Sequence, residues 1–325
     1  MPMIEINNLV KYYGSIKAVD DVSFRVEEGE IVGFLGPNGA GKSTTMNILT
    51  GYISATSGEV KVNGHDILEE PREAKRSIGY LPEAPPLYLD MTVLEYLRFV
   101  SDLKSVPRKE QASQLGRIMK LVRITDVMKR RIKNLSKGYR QRVGIAQAMI
   151  GNPEVLILDE PTVGLDPKQI IEIRETIRDL GKEHTIILSS HILSEVSATC
   201  DRVIIINQGR LAAVDTASSL GQGNGLVSDL ELVIDGPVKD VIPRLRQIAG
   251  VVRVDNYSRQ SDKYLTCQIH SEEGRDIRRE IFFEMARNAW PILSMRSLEP
   301  TLEDIFLSVT GEGKSFMTAS AGGKQ

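Results

Sequence analysis

Gly36-Pro37-Asn38-Gly39-Ala40-Gly41-Lys42-Ser43 is the stretch whose reading decides the fold. It matches the spacing G-x-x-x-x-G-K-[ST] in full. Glycines so placed let consecutive backbone amides turn inward. A helix that starts on the last glycine adds its dipole, so the loop becomes a nest for phosphate oxygens. On this reading Lys42 reaches the β- and γ-phosphates of a bound ATP and Ser43 is a ligand of Mg²⁺. Gly36, Pro37, Asn38, Gly39, Ala40, Gly41, Lys42, Ser43 and Thr44 are the expected nucleotide-binding run. An ordinary glycine-rich turn would match the same spacing in roughly one protein of this length in a hundred at average composition. The flanks weaken that alternative, because residues 31–35 (IVGFL) are a buried-strand run and residues 42–50 are helical in pattern, stopped by Gly51.

Working outward, residues 155–160 read Val-Leu-Ile-Leu-Asp-Glu. An apolar strand that ends in carboxylates sets them at its C-terminal edge, where an α/β sheet holds its ligands. Asp159 is then expected to hold Mg²⁺, partly through water, and Glu160 to act as general base on the attacking water. Toward the N-terminus, residues 4–9 and 22–26 read as strands around a turn at 13–15. Residues 85–134 change to helical character, with Thr92 and Glu95 in capping-box spacing and Ala112, Leu115, Met119 and Val122 at helical intervals. Strand signals at 155–158, 185–188, 203–206 and 210–214, with a helix at 170–180, argue for an α/β core with a mostly parallel sheet.

Gly221 to Gly225 (GQGNG) is the expected linker. Beyond it, strands at 230–234, 251–256, 264–269 and 292–296 and helices at 238–248 and 277–289 follow a βαββαβ order, which predicts a small ferredoxin-like module. The expected divisions are an ATPase domain at 1–220 with a helical subdomain at about 84–150, the linker at 221–225, an accessory domain at 226–310 and a disordered tail at 311–325. A length of 325 residues suits two domains at ~150 residues each. The net charge of −2 gives no reason to expect nucleic acid as a partner. Cys200 and Cys267 match no metal or redox spacing and read as small buried hydrophobes. The opening MPMIEINNLV does not resemble a signal peptide, and the apolar runs fall far below the ~18 residues of a membrane-spanning helix. The expectation is a soluble chain that meets a membrane only by docking.

Leu135-Ser136-Lys137-Gly138-Tyr139-Arg140-Gln141-Arg142 stands shortly before the Asp-Glu pair, and His191 follows the strand at 185–188. This order, over roughly the first 220 residues, resembles the ATP-binding domains of ABC transporters. The resemblance implies a P-loop NTPase fold, ATP and Mg²⁺ as ligands, and a separate transmembrane permease as partner. It also implies head-to-tail pairing with a second copy, so that Ser136 and Gly138 act in trans on the γ-phosphate. Ser136 as N-cap and Gly138 as a close-approach glycine suit that task. By the same resemblance His191 senses the γ-phosphate, Tyr13 stacks on adenine, and Gly164-Leu165-Asp166 couples the two sites. Asp166 also reads as an N-cap with Pro167 behind it. Glu83 stands where the family usually has a glutamine near Mg²⁺. With the LSKGYRQR signature it resembles the gliding-motility type, and Thr301-Leu302-Glu303-Asp304-Ile305-Phe306 resembles an exporter-type ending. Attachment at the inner face of the cell membrane, through the permease, follows. Two rivals are a soluble ABC protein acting on ribosomes or DNA and a regulator that binds ATP without turnover. The single ATPase domain, lacking coiled coils and a basic patch, argues against the first, and Glu160 with His191 against the second.

Overall fold

The computed structural model describes residues 2–216, 229–259, 264–272, 275–298 and Phe306. The linker expected at 221–225, the tail expected at 311–325 and residues 301–305 of the exporter-type ending lie outside the described residues. Two compact units emerge, one containing Met1–Ala217 and the other Ser218–Ile305.

The first unit opens with β1 (Pro2–Tyr13) and β2 (Ile16–Glu27), followed by β3 (Ile31–Leu35) and α1 (Lys42–Leu49). Next come β4 (Ser57–Val62), β5 (His65–Asp66), α2 (Pro71–Arg76) and β6 (Ile78–Leu81). Three helices follow: α3 (Val93–Leu103), α4 (Arg108–Leu121) and α5 (Lys137–Met149). The unit continues through β7 (Val155–Asp159), α6 (Pro167–Leu180), β8 (Thr185–Ser190), α7 (Leu193–Ser197), β9 (Arg202–Asn207) and β10 (Arg210–Thr216). The first two strands join β4 and β5 in an antiparallel sheet of order β2-β1-β4-β5. The second sheet runs β10-β9-β3-β8-β7-β6, parallel from β9 through β6.

Every residue of β3 and β7 is buried. Strands covered on both faces need apolar side chains in both directions, which is why these two read as unbroken runs. The capping box on α3 forms as its spacing predicts. Thr92 Oγ1 accepts from the Glu95 amide at 3.3 Å, and the Glu95 carboxylate accepts from the Thr92 amide at 2.8 Å.

The second unit contains β11 (Asp229–Asp235), α8 (Val238–Arg246), β12 (Val251–Arg259), β13 (Tyr264–Ser271), α9 (Arg278–Arg287) and β14 (Ile292–Leu298). Its sheet order is β12-β13-β11-β14 with every neighbour antiparallel, the ferredoxin-like arrangement that the sequence order predicts. Alternate residues of β11 and β13, among them Leu232, Ile234, Leu265 and Ile269, face the helices as its core, and Trp290 packs against it. Both cysteines are buried as expected, and burial pushes the Cys267 thiol up to about 12.

Candidate nucleotide site

Four parallel strands end on the same edge of the second sheet, and each hands over to one part of the site. Strand β3 leads into the loop at 36–41, β6 into Glu83, β7 into Asp159 and Glu160, and β8 into His191. The register fixes their level: Leu35 pairs with Ser190, Asp159 with Ser189, and Leu81 with Leu158. Ligands of open α/β sheets bind at this carboxyl edge, so the topology itself gathers these residues.

The loop is held from behind. The Gly209 amide donates to Ala40 O at 2.9 Å, and the Asp20 amide donates to Gly209 O at 2.8 Å. Gly41 takes a left-handed backbone, φ 104°, and a Cβ there would stand 2.6 Å from Ala18 O. Gly39 is also left-handed, φ 81°, but a Cβ there would meet nothing within 4 Å, because that face of the loop is open. The open face belongs to a hollow of about 330 Å³ lined by Asn38, Lys42, Ser43, Thr44, Glu83, Glu160 and His191, together with Ala18, Gly39, Gly41 and Val163. That size suits a small ligand.

Inside it, the buried Lys42 ammonium donates to Gly36 O at 2.8 Å and Pro37 O at 3.3 Å and stands 3.6 Å from Glu160 Oε1. Glu160 is buried too, in the left-handed region at φ 48°, which costs a non-glycine residue roughly 1–2 kcal/mol. Its amide donates to Ser189 Oγ at 2.9 Å, and the Ser189 hydroxyl donates to Asp159 Oδ1 at 2.5 Å. One serine therefore holds both acids of the pair. His191 Nδ1 lies 2.9 Å from Glu160 Oε2. Ser43, Asp159 and Glu83 offer only hard oxygen donors, the set that Mg²⁺ takes.

Burial pushes the Asp159 carboxyl above the ordinary carboxylate range. The Ser189 hydrogen bond and Lys42 oppose the shift, while the Glu160 and Glu83 charges reinforce it. A carboxyl whose pKa rises on folding keeps its proton longer in the folded chain than in the unfolded one. Folding stability from this group is therefore lost as pH climbs from the ordinary carboxylate value through the raised one. Asp159→Asn has no such charge to bury. Melting temperatures of the nucleotide-free proteins, compared from about pH 4 to about pH 7, should show the variant gaining on the parent as pH rises. A constant or shrinking gap would contradict this.

Other expected site residues lie elsewhere. Ser136 is the N-cap of α5, its Oγ accepting from the Tyr139 amide at 3.4 Å. Ser136 and Gly138 line a second hollow of about 220 Å³ with Arg123, Tyr139, Arg142, Gln169 and Glu172. The two hollows share no lining residue. A Cβ on Gly138 would stand 2.6 Å from Gln169 Oε1, so a side chain there would have to displace the end of the Gln169 side chain on α6. The buried Arg142 pairs with Glu172 and donates to Val122 O at 3.2 Å, fastening α5 to α6. Asp166 caps α6, accepting from the Gln169 amide at 2.9 Å, and lines neither hollow. Tyr13 ends β1, 48% exposed, outside both hollows, with the Lys11 ammonium 5.3 Å from its ring centre. Ser189, Ala18 and Val163 were not expected from sequence. Ser189 sits among apolar strand residues, and only the β7–β8 register reveals what it faces.

Comparison with known proteins settles the family. A family model described as ABC transporter matches residues 19–163. The linearmycin resistance ATP-binding protein LnrL of Bacillus subtilis is 33% identical over 310 residues, which cover 95% of this chain and 98% of that protein. The chain belongs to the ABC transporter ATP-binding proteins. The bacitracin transport ATP-binding protein BcrA of Bacillus licheniformis is 34% identical over 314 residues, covering 96% of this chain and 98% of its own. Among solved structures, an ATP-binding subunit of an ABC transporter superposes with a TM-score of 0.62 at 32% identity, over 68% of this chain and 92% of that one. The dimeric post-hydrolysis state of the ATP-binding cassette MJ0796, bound to ADP and Pi, superposes at 0.60 and 25% identity, over 66% and 99%. As an ABC transporter ATP-binding subunit, the chain binds and hydrolyses ATP to energise transport through membrane-spanning partners. Among its described residues no helix is long and apolar enough to cross a membrane.

Proposed function

We propose that two copies of this subunit pair head-to-tail, close over two ATP molecules, and drive a separate permease in an exporter. The observation that carries the reading is the division of the expected ATP contacts between two hollows with no residue in common. One chain then offers a phosphate cradle in one place and a capped helix N-terminus in another, and a second copy supplies the missing half of each site. Binding glues the pair through phosphate contacts from both sides, and hydrolysis releases it.

Within each site, residues 36–44 cradle the triphosphate, with the Lys42 ammonium turning from the loop carbonyls to the β- and γ-phosphates. Ser43, Asp159 and Glu83 would hold Mg²⁺, which would neutralise phosphate charge. Glu160 takes the proton of the attacking water, and His191, already against its carboxylate, contacts the γ-phosphate. Tyr13 stacks on adenine, Asp166 couples the two sites, and Ser136 and Gly138 of the second copy close over the γ-phosphate. The ATPase domain is assigned to 1–220, with its helical subdomain at about 84–150, the linker to 221–225, the accessory domain to 226–310 and the tail to 311–325.

The permease docks beside residues 84–95. Support comes from an apolar hollow of about 600 Å³ whose lining includes Tyr52, Ile78, Tyr80, Pro82, Ala84 and Pro86, with Tyr52 79% exposed. The subunit is thereby held at the cytoplasmic face of the cell membrane. Glu83 with LSKGYRQR favours the gliding-motility type, and relatives named for linearmycin resistance and bacitracin transport favour export. Affinity capture from solubilised native membranes, with Glu160→Gln loaded with Mg-ATP, tests the reading. A multi-spanning membrane protein as the stoichiometric partner is expected. Recovery of soluble partners alone, such as ribosomes, would overturn it.

A further inference from the structure

We propose that Glu195 is a positioning residue for ATP hydrolysis: its buried carboxylate braces the turn that carries Glu160 against the loop that carries His191. The inference rests on the assignment of Glu160 as the base. Glu195 lies in α7, only 5% exposed. Its Oε2 accepts from Thr162 Oγ1 at 2.5 Å and from Ser190 Oγ at 3.2 Å. Thr162 stands two residues beyond Glu160, on a turn closed by Val163 N to Glu160 O at 3.2 Å and Leu165 N to Thr162 O at 3.2 Å. Ser190 directly precedes His191, and its hydroxyl oxygen accepts from the Ile192 amide at 3.0 Å, so it grips the chain on both sides of the histidine. One carboxylate oxygen thus ties together the two segments whose far ends meet at the contact between His191 and Glu160, 2.9 Å long.

Packing alone does not account for a carboxylate here. Among the described residues no basic side chain pairs with Glu195, and a buried carboxylate without a cation is costly where an apolar residue would fill the same space. What an apolar residue could not do is accept from two hydroxyls, one on the turn after β7 and one at the end of β8. Glu160 sits in a left-handed backbone conformation that its surroundings must enforce, and the Thr162 anchor just beyond it supplies part of that constraint. The brace also leads into the turn at 163–166, so it links the base to the segment assigned to coupling between sites.

The test is steady-state ATP hydrolysis, at a temperature where each protein is folded, by Glu195→Ala, Glu195→Gln, Thr162→Val, the Thr162→Val/Glu195→Ala double variant and Glu160→Gln. Loosening the base by a fraction of an ångström should lower kcat of Glu195→Ala and of Thr162→Val by roughly tenfold, with KM for ATP moved by less than about twofold. Both remove the same bond, so the double variant should fall no further than the slower single one. Glu195→Gln keeps an acceptor oxygen and should recover most of the rate. A parental kcat in Glu195→Ala, a matching rise in KM, or multiplicative losses in the double variant would each overturn the brace. Should Glu195→Ala fail to fold, Thr162→Val and Ser190→Ala, which each delete one of the two bonds, decide the matter in its place. The Glu160→Gln arm separates the two levels. Parental turnover there would sink the choice of base itself, whereas a silent Glu160→Gln beside an unaffected Thr162→Val would sink only the brace.

Discussion

Glu160→Gln, given saturating Mg-ATP, should hydrolyse at least about a hundredfold more slowly than the parent while binding ATP with affinity changed by less than about threefold. The substitution keeps side-chain volume, and the backbone that Ser189 Oγ grips at 2.9 Å is untouched. What is lost is the basic oxygen that lies 2.9 Å from His191 Nδ1 and the anion 3.6 Å from the Lys42 ammonium. An amide cannot take the proton of the attacking water. It also no longer competes with phosphate for Lys42, so binding survives and the ATP-bound pair accumulates. Phosphate release and nucleotide titration on the same preparation measure both halves of the prediction. Turnover at the parental rate would move the base to another group.

Lys42→Met should fail one step earlier, at binding. The Lys42 ammonium, 6% exposed, is the cation whose neighbours are Gly36 O, Pro37 O and Glu160. Methionine fills the stem's volume but leaves those carbonyls without their donor and the triphosphate without its charge partner. Loss of one such preorganised contact costs about a hundredfold or more in kcat/KM. The orphaned carbonyls cost roughly 1–3 kcal/mol of stability besides. Isothermal titration with ATP and a denaturant melt separate the two effects. ATP affinity equal to the parent's would remove Lys42 from the binding set.

Much of this architecture was legible because its chemistry is local. The glycines of residues 36–41 announce a loop, the unbroken apolar runs of β3 and β7 announce strands covered on both faces, and Thr92, Ser136 and Asp166 cap their helices as their positions predict. The order of elements in the second unit was enough to give its sheet order, because βαββαβ with short connections closes in few ways. Strands β1 and β2 were anticipated at 4–9 and 22–26 but run Pro2–Tyr13 and Ile16–Glu27; the missed ends hold few buried residues, Met3 in β1 and Val19 in β2, too few to show an alternating pattern. Strands β4 and β6 went unread. In β4 only Val60 and Val62 are buried, and β6 is four residues long with a glycine inside it. That glycine is dictated from outside, because a Cβ on Gly79 would run into Ala148 O at the end of α5. The site divided in the same way. Asp159 and Glu160 could be named from motif and spacing and Glu83 and His191 from the family resemblance, while Ser189 and Glu195 became visible only when β7, β8 and α7 were placed side by side.

The claim on which the account turns is that a single kind of chain supplies both halves of each ATP site. Light scattering on Glu160→Gln, first with Mg-ADP and then with Mg-ATP, tests it most directly. The account predicts one chain's mass with ADP and twice that mass, holding two nucleotides, with ATP. A species of single mass that has ATP bound at saturation would contradict it.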